Sequence, residues 1–161
     1  MLTGPSIRAA LVAASLAACL AACAAASATP TSEAPATGAV EIETDAGVVT
    51  VRVEVADTPE ERRVGLMFRD TLAPDAGMLF LYDAPASGGL WMKDTTIPLS
   101  AAFFDASGRI IALVDMQPCT ADPCPRYAPE TPYSGAFEVN LGAFDAWGVA
   151  AGDLVTHRLD Q

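Results

Sequence analysis

Apolar and polar residues alternate through GVVTVRVEVA. Val49, Val51, Val53 and Val55 fall on one side, and Thr50, Arg52 and Glu54 on the other. A period of two predicts a half-buried strand, so the sheet is expected to have one core face and one wet face. The preceding VEIET, turning through Asp45-Ala46-Gly47, predicts the hairpin partner. The pattern changes in DTPEERRVGLMF. Thr58, Pro59 and Glu61 predict a helix start: a hydroxyl cap, a proline where no N–H is needed, and a glutamate that completes a capping box. Glu60 and Glu61 also stand at the positive end of the helix dipole. Val64 and Met67, three apart, are expected to face inward together.

Four more apolar runs follow: GMLFLY, LWMKDT, LSAAFFDASGRIIALVDM and GAFEVNL. The third contains a second hairpin, turning at Ala106-Ser107-Gly108. Residues 117–132 hold five prolines and two cysteines, which predicts a long loop poor in backbone donors. Asn140 is placed to cap a short helix ending at Trp147, and the Ala151-Gly152-Asp153 turn leads to a last strand. About eight short strands and one or two short helices, without visible βαβ alternation, predict a mostly β single domain. Its form is a β-sandwich or a partly closed barrel.

The first residues have another character. Arg8 is followed by AALVAASLAACLAAC, an uncharged run from Ala9 to Cys23. A basic start and a short apolar stretch read as a secretory signal, too short and too alanine-rich for a membrane span. LAAC occurs twice, ending at Cys19 and Cys23, and resembles the lipobox of bacterial lipoproteins. Residues 1–23 are therefore expected to be a signal with lipidation at Cys23 (or Cys19); the other reading is an ordinary signal cut after Ala28. Ala24 after Cys23 resembles the sorting signal for the outer membrane. Residues 24–38, built of Ala, Ser, Thr, Pro and Glu, are expected to be a tether, and residues 39–160 the β domain.

The formal charge is −11. Loss of the signal removes Arg8 and takes the mature chain from −11 to −12. That balance disfavours nucleic acid and direct contact with an anionic membrane. It predicts a soluble monomer facing the periplasm and touching membrane only through its lipid. In an oxidising compartment Cys119 and Cys124 are expected to form a disulfide. No metal or cofactor is expected: His157 is the single histidine, and Met67, Met78, Met92 and Met116 are better read as core filler than as copper ligands.

The blocks VADTPEERRVGLMFRD, GMLFLY, LWMKDTTIPL, FFDASGRI, PC…CPRY and FEVNLG, in that order, resemble the domain-of-unknown-function family 192. The resemblance spans about Val53 to Val155. It implies a compact, mostly β fold of sandwich type, often on secreted or tethered bacterial chains, and implies no activity.

Chemistry is sparse and concentrates in LWMKDT. On a strand Trp91, Lys93 and Thr95 would share one face, and Leu90, Met92 and Asp94 the other. An indole beside an ammonium suits an oxygen-rich ligand; the plainer reading is a core tryptophan and a solvated lysine. Arg69 follows the helix, and Glu138 and Asn140 share a strand face in FEVN. A carboxylate in an apolar strand must be paired, with Lys93 or Arg69, or line a cleft. The leading expectation is a small polar ligand or glycan bound by Trp91, Lys93, Arg69, Glu138 and Asn140. The alternatives are a glycan hydrolase using Asp94 and Glu138 as its two carboxyl groups, and a structural or protein-interaction module.

Overall fold

The computed structural model describes residues 35–160. The expected signal, Cys19, Cys23 and residues 24–34 of the expected tether lie outside the described residues, while Thr37 and Gly38 at its end already belong to the first strand. Among those described, no helix is long and apolar enough to cross a membrane.

Nine strands and two helices are present among them. β1 (Thr37–Thr44) and β2 (Gly47–Ala56) form the first hairpin, followed by α1 (Pro59–Val64) and β3 (Ala76–Ala86). β4 (Leu90–Trp91), β5 (Leu99–Phe104), β6 (Ile110–Met116) and β7 (Arg126–Tyr127) come next. β8 (Tyr133–Asn140), α2 (Ala143–Trp147) and β9 (Leu154–Leu159) complete the domain. Seven strands form one sheet in the order β6-β5-β8-β3-β2-β1-β9, while β4 and β7 form a separate two-stranded ribbon. The edge strands β6 and β9 meet at one corner through an Arg109–Leu154 bridge without a continuous ladder. There Val155 N–H donates to the Gly108 carbonyl at 2.8 Å. A Cβ on Gly108 would stand 2.3 Å from the Val155 carbonyl oxygen, so only glycine allows this approach. The mostly β, partly closed architecture expected from the pattern is what the chain adopts.

Two features depart from the pattern. β2 and β3 are parallel, and α1 lies in the connection between them. This βαβ unit is invisible to periodicity because its helix has only six residues, none of them buried. In addition, the sheet is not wet on one face. β5 is buried at every position, and two apolar layers cover the central strands. One layer contains Val51, Leu79, Phe137, Val139 and Phe144. The other contains Met78, Phe80, Leu90, Met92, Phe103 and Ala136. One-sided burial holds only toward the outer strands, as in β2, where Arg52 is exposed between buried Val51 and Val53.

The helix start is as expected. Thr58 accepts from Glu61 N–H, and the Glu61 carboxylate accepts from Thr58 N–H at 3.0 Å. The end is not. Gly65 turns the chain with φ 50° and ψ −131°, so Met67 lies beyond the helix and the three-residue spacing no longer pairs it with Val64. Met67 is buried and Val64 is exposed. Asn140 does not cap α2; Gly142, left-handed at φ 76°, occupies that position.

Candidate functional site

β8 runs between β3 and β5, so a side chain in its middle is enclosed from both sides. Glu138 sits opposite Met78 on β3 and Ala101 on β5. Its neighbours Phe137 and Val139 point into the first apolar layer, which sends Glu138 into the second. It is 4% exposed. Burial pushes its carboxyl up to about 8, and neither a hydrogen bond nor a charged neighbour contributes to that rise. Its carboxyl faces a cavity of about 20 Å³, room for one water, lined also by Thr95, Phe80, Leu66, Trp91 and Arg62.

Outside this cavity lies a cleft of about 540 Å³, of the size that holds small molecules. Arg62, Arg63, Leu90 and Trp91 line both. Arg126, Tyr82 and Tyr133 complete the cleft walls, and no acidic residue lines it among the described residues. The arginines are held in place. Arg62 donates to the Asp57 carbonyl and, at 2.7 Å, to the Leu81 carbonyl, with its guanidinium 5.0 Å from the centre of the Tyr82 ring. Arg126 donates to the Gly89 carbonyl at 3.0 Å and stacks 4.8 Å from the centre of Trp91. Neither pairs with a carboxylate among the described residues. Arg63 is neutralised by Glu60. Tyr82 and Tyr133 meet edge to face at 5.3 Å, and burial raises both phenols above their ordinary range.

Local folding explains these positions. The capped start of α1 sets the helix that presents Arg62 and Arg63. The Cys119–Cys124 disulfide closes the proline-rich loop just before β7, and β7 pairs Arg126 directly with Trp91 on β4.

Of the candidate ligand-binding and catalytic residues named from the sequence, the cavity and cleft unite Trp91 and Glu138 only. β4 ends at Trp91, and the chain turns at Asp94 with φ 53°, so the strand alternation that would align Trp91 with Lys93 stops. Lys93 instead meets Asp122 at 3.4 Å, beside a separate hollow shared with Asp94, Cys119 and Cys124. Arg69 grips both carboxylate oxygens of Glu54, at 2.5 and 2.6 Å, and that pairing raises its own pKa. Asn140 donates to the Leu72 and Ala73 carbonyls at 3.1 and 3.0 Å, fastening the segment before β3. Asp94 and Glu138 line different hollows, so the pair required for two-carboxylate hydrolysis is not assembled around one cleft. Met78, Met92 and Met116 are packed together in the second apolar layer.

The periodicity reading missed Arg62, Arg63, Arg126, Tyr82 and Tyr133. The available signal was composition by position. Three of nine basic residues in an acidic chain come to one cleft, and they arise from two of the blocks that carry the family likeness, VADTPEERRVGLMFRD and CPRY.

Fold and site together define a small, mostly β protein with an arginine-walled cleft above a buried acid. The model of the family DUF192, described as "Uncharacterized ACR", matches residues 39–157, and the chain belongs to that family. A Sinorhizobium meliloti 1021 protein, provisionally described as a transcription regulator, is 30% identical with a TM-score of 0.71, over 78% of this chain and 96% of that one. A protein of unknown function from Novosphingobium aromaticivorans DSM 12444 is 29% identical with a TM-score of 0.70, over 80% and 89%. No curated protein matches the chain.

Proposed function

We propose that this domain is a binding module for a small organic anion, seated in the cleft between α1 and the β4–β7 ribbon. The observation that carries this reading is the pair Arg62 and Arg126. Both are fixed by backbone carbonyls and aromatic rings, and both lack an acidic partner among the described residues, in a chain whose net charge is −11. Ordered guanidiniums lose little freedom on gripping a carboxylate or phosphate, which is the condition for useful affinity in a shallow cleft. The indole is less suited to stacking a neutral sugar than its sequence context suggests, because Arg126 already lies over it. Nucleic acid is disfavoured by the same negative charge.

The module is proposed to act as a monomer held in the cell envelope by lipid on Cys23, with the short tether keeping it off the membrane. Labelled fatty acid incorporated by the parent chain and lost in Cys23→Ser would support that anchoring; unchanged labelling in Cys23→Ser and Cys19→Ser together would refute it.

Calorimetric titration of the purified protein with acetate, inorganic phosphate and a panel of organic acids tests the binding reading. The expected result is at least one ligand whose affinity falls more than tenfold in Arg126→Gln and in Trp91→Ala and stays unchanged in Lys93→Ala. If Arg126→Gln and Trp91→Ala leave every measured affinity intact, the cleft is not the site.

A further inference from the structure

We propose that the ligand is a hydroxylated organic acid of the uronic or aldonic type, its carboxylate on Arg62 and Arg126 and one hydroxyl on the carboxyl of Glu138. This rests on the cleft being the binding site, and it names what the inner end selects. Glu138 is a polar side chain 96% buried by its 4% exposure, without a protein partner among the described residues, facing a cavity continuous in its lining with the cleft. No wholly buried side-chain oxygen among the described residues lacks a hydrogen bond, so the unbonded Glu138 oxygens open on the cavity. Holding a carboxyl this far from bulk water is still costly, and substitution by an apolar residue would remove the cost. A binding role supplies a reason for its presence, since perturbed and unpartnered acids gather at sites.

The size and charge of the cavity restrict what can meet Glu138. At about 20 Å³ it accepts one hydroxyl in place of a water and has no room for a second carboxylate. The charged groups lining it are Arg62 and Arg63 from α1, with Trp91 and Thr95 from β4 and the turn after it. Tyr82 of β3 lies in the outer cleft near enough to feel the charge of Glu138, and β5 sets only Ala101 opposite Glu138. The guanidinium of Arg62, without an acidic partner among the described residues, opposes an ammonium group at the mouth. Near neutral pH the carboxyl is protonated, and a carboxylic acid both donates and accepts, as a hydroxyl does. At the outer end, Arg62 and Arg126 each engage backbone carbonyls through Nη1. Their Nη2 and Nε groups make no hydrogen bond among the described residues.

The test compares glucuronate, glucose and cyclohexanecarboxylate by calorimetry on the purified full-length protein at pH 6.5. Glucuronate is expected to bind at least tenfold more tightly than either analogue, one of which lacks the carboxylate and the other the hydroxyls. Glu138→Gln, which keeps hydrogen-bonding capacity, should stay within about threefold of the parent; Glu138→Leu should lose at least tenfold while melting no lower than the parent. Raising the pH to 9 should weaken glucuronate binding several-fold in the parent and leave Glu138→Gln unchanged. Equal binding of glucuronate and cyclohexanecarboxylate, or an unaltered affinity in Glu138→Leu, overturns the proposal. Binding of phosphate or acetate with Arg126 dependence, but not of glucuronate, overturns it while the anion cleft stands. Binding of none of these overturns both.

Discussion

Replacing Glu138 by glutamine tests the physical state of the site without any ligand. Folding carries this carboxyl from water, where it titrates at its ordinary 4.5, into apolar surroundings where it titrates at about 8. Between those values the folded chain holds a proton that the unfolded chain has released, so stability falls as pH rises. Below 4.5 both states are protonated and nothing is lost; above 8 both are ionised and the loss is complete. A tenfold change in proton affinity is worth about 1.4 kcal/mol, so the full window amounts to about 5 kcal/mol, of which about 3 to 4 kcal/mol falls between pH 5 and pH 8. Glutamine fills nearly the same space and does not titrate. The expected outcome is that the unfolding free energy of Glu138→Gln, relative to the parent, rises by about 3 kcal/mol from pH 5 to pH 8, measured by denaturant titration at a series of pH values. The acids whose pKa values are lowered, such as Glu61 held by Thr58 and Asp75 held by Arg52, are common to both proteins and cancel in the difference. A difference constant within about 0.5 kcal/mol across that range would show that Glu138 is ionised in the folded chain, and the reasoning about the cavity would fail.

Three further outcomes are expected. Gly135→Ala would place a Cβ 2.1 Å from the Phe104 ring in a fully buried strand pair, and should cost about 2 kcal/mol or more in denaturant unfolding. A smaller side chain such as Phe104→Leu in the same chain should recover part of that loss. Thr58→Ala removes the α1 cap and should lower stability by about 1 kcal/mol in a thermal melt. Cys124→Ser opens the small disulfide loop, should cost about 2 kcal/mol, and should weaken anion binding beyond the effect of Lys93→Ala, because the loop leads directly into Arg126.

The strands were readable from alternation, and the reason is visible in β2. Val51, Val53 and Val55 are buried, while Arg52 between them is exposed. The capping box at Thr58 was readable because its chemistry is local to four residues. Pairing was not readable: the cap announces the helix between β2 and β3, but with six residues and none buried it shows no apolar face that would reveal a crossover joining parallel strands. At the site, Trp91 and Glu138 stood out because each is chemically unusual in its own run. Lys93 and Arg69 misled for a common reason: each found an acid elsewhere, Asp122 and Glu54, through contacts that no spacing rule anticipates. Arg126 was hidden inside a proline-rich loop whose two-residue strand is too short to show periodicity.

The ribbon of β4 and β7 stands apart from the seven-stranded sheet, and each of its strands is only two residues long. It nevertheless supplies Trp91 and Arg126 to the cleft. Leu90 roots this brim in the second apolar layer and Tyr127 packs against the same layer, so the bowl beneath holds it where its own short ladder could not. Both strands of the ribbon fall within blocks that carry the family likeness, so relatives sharing this body should keep what they grasp along with how they fold.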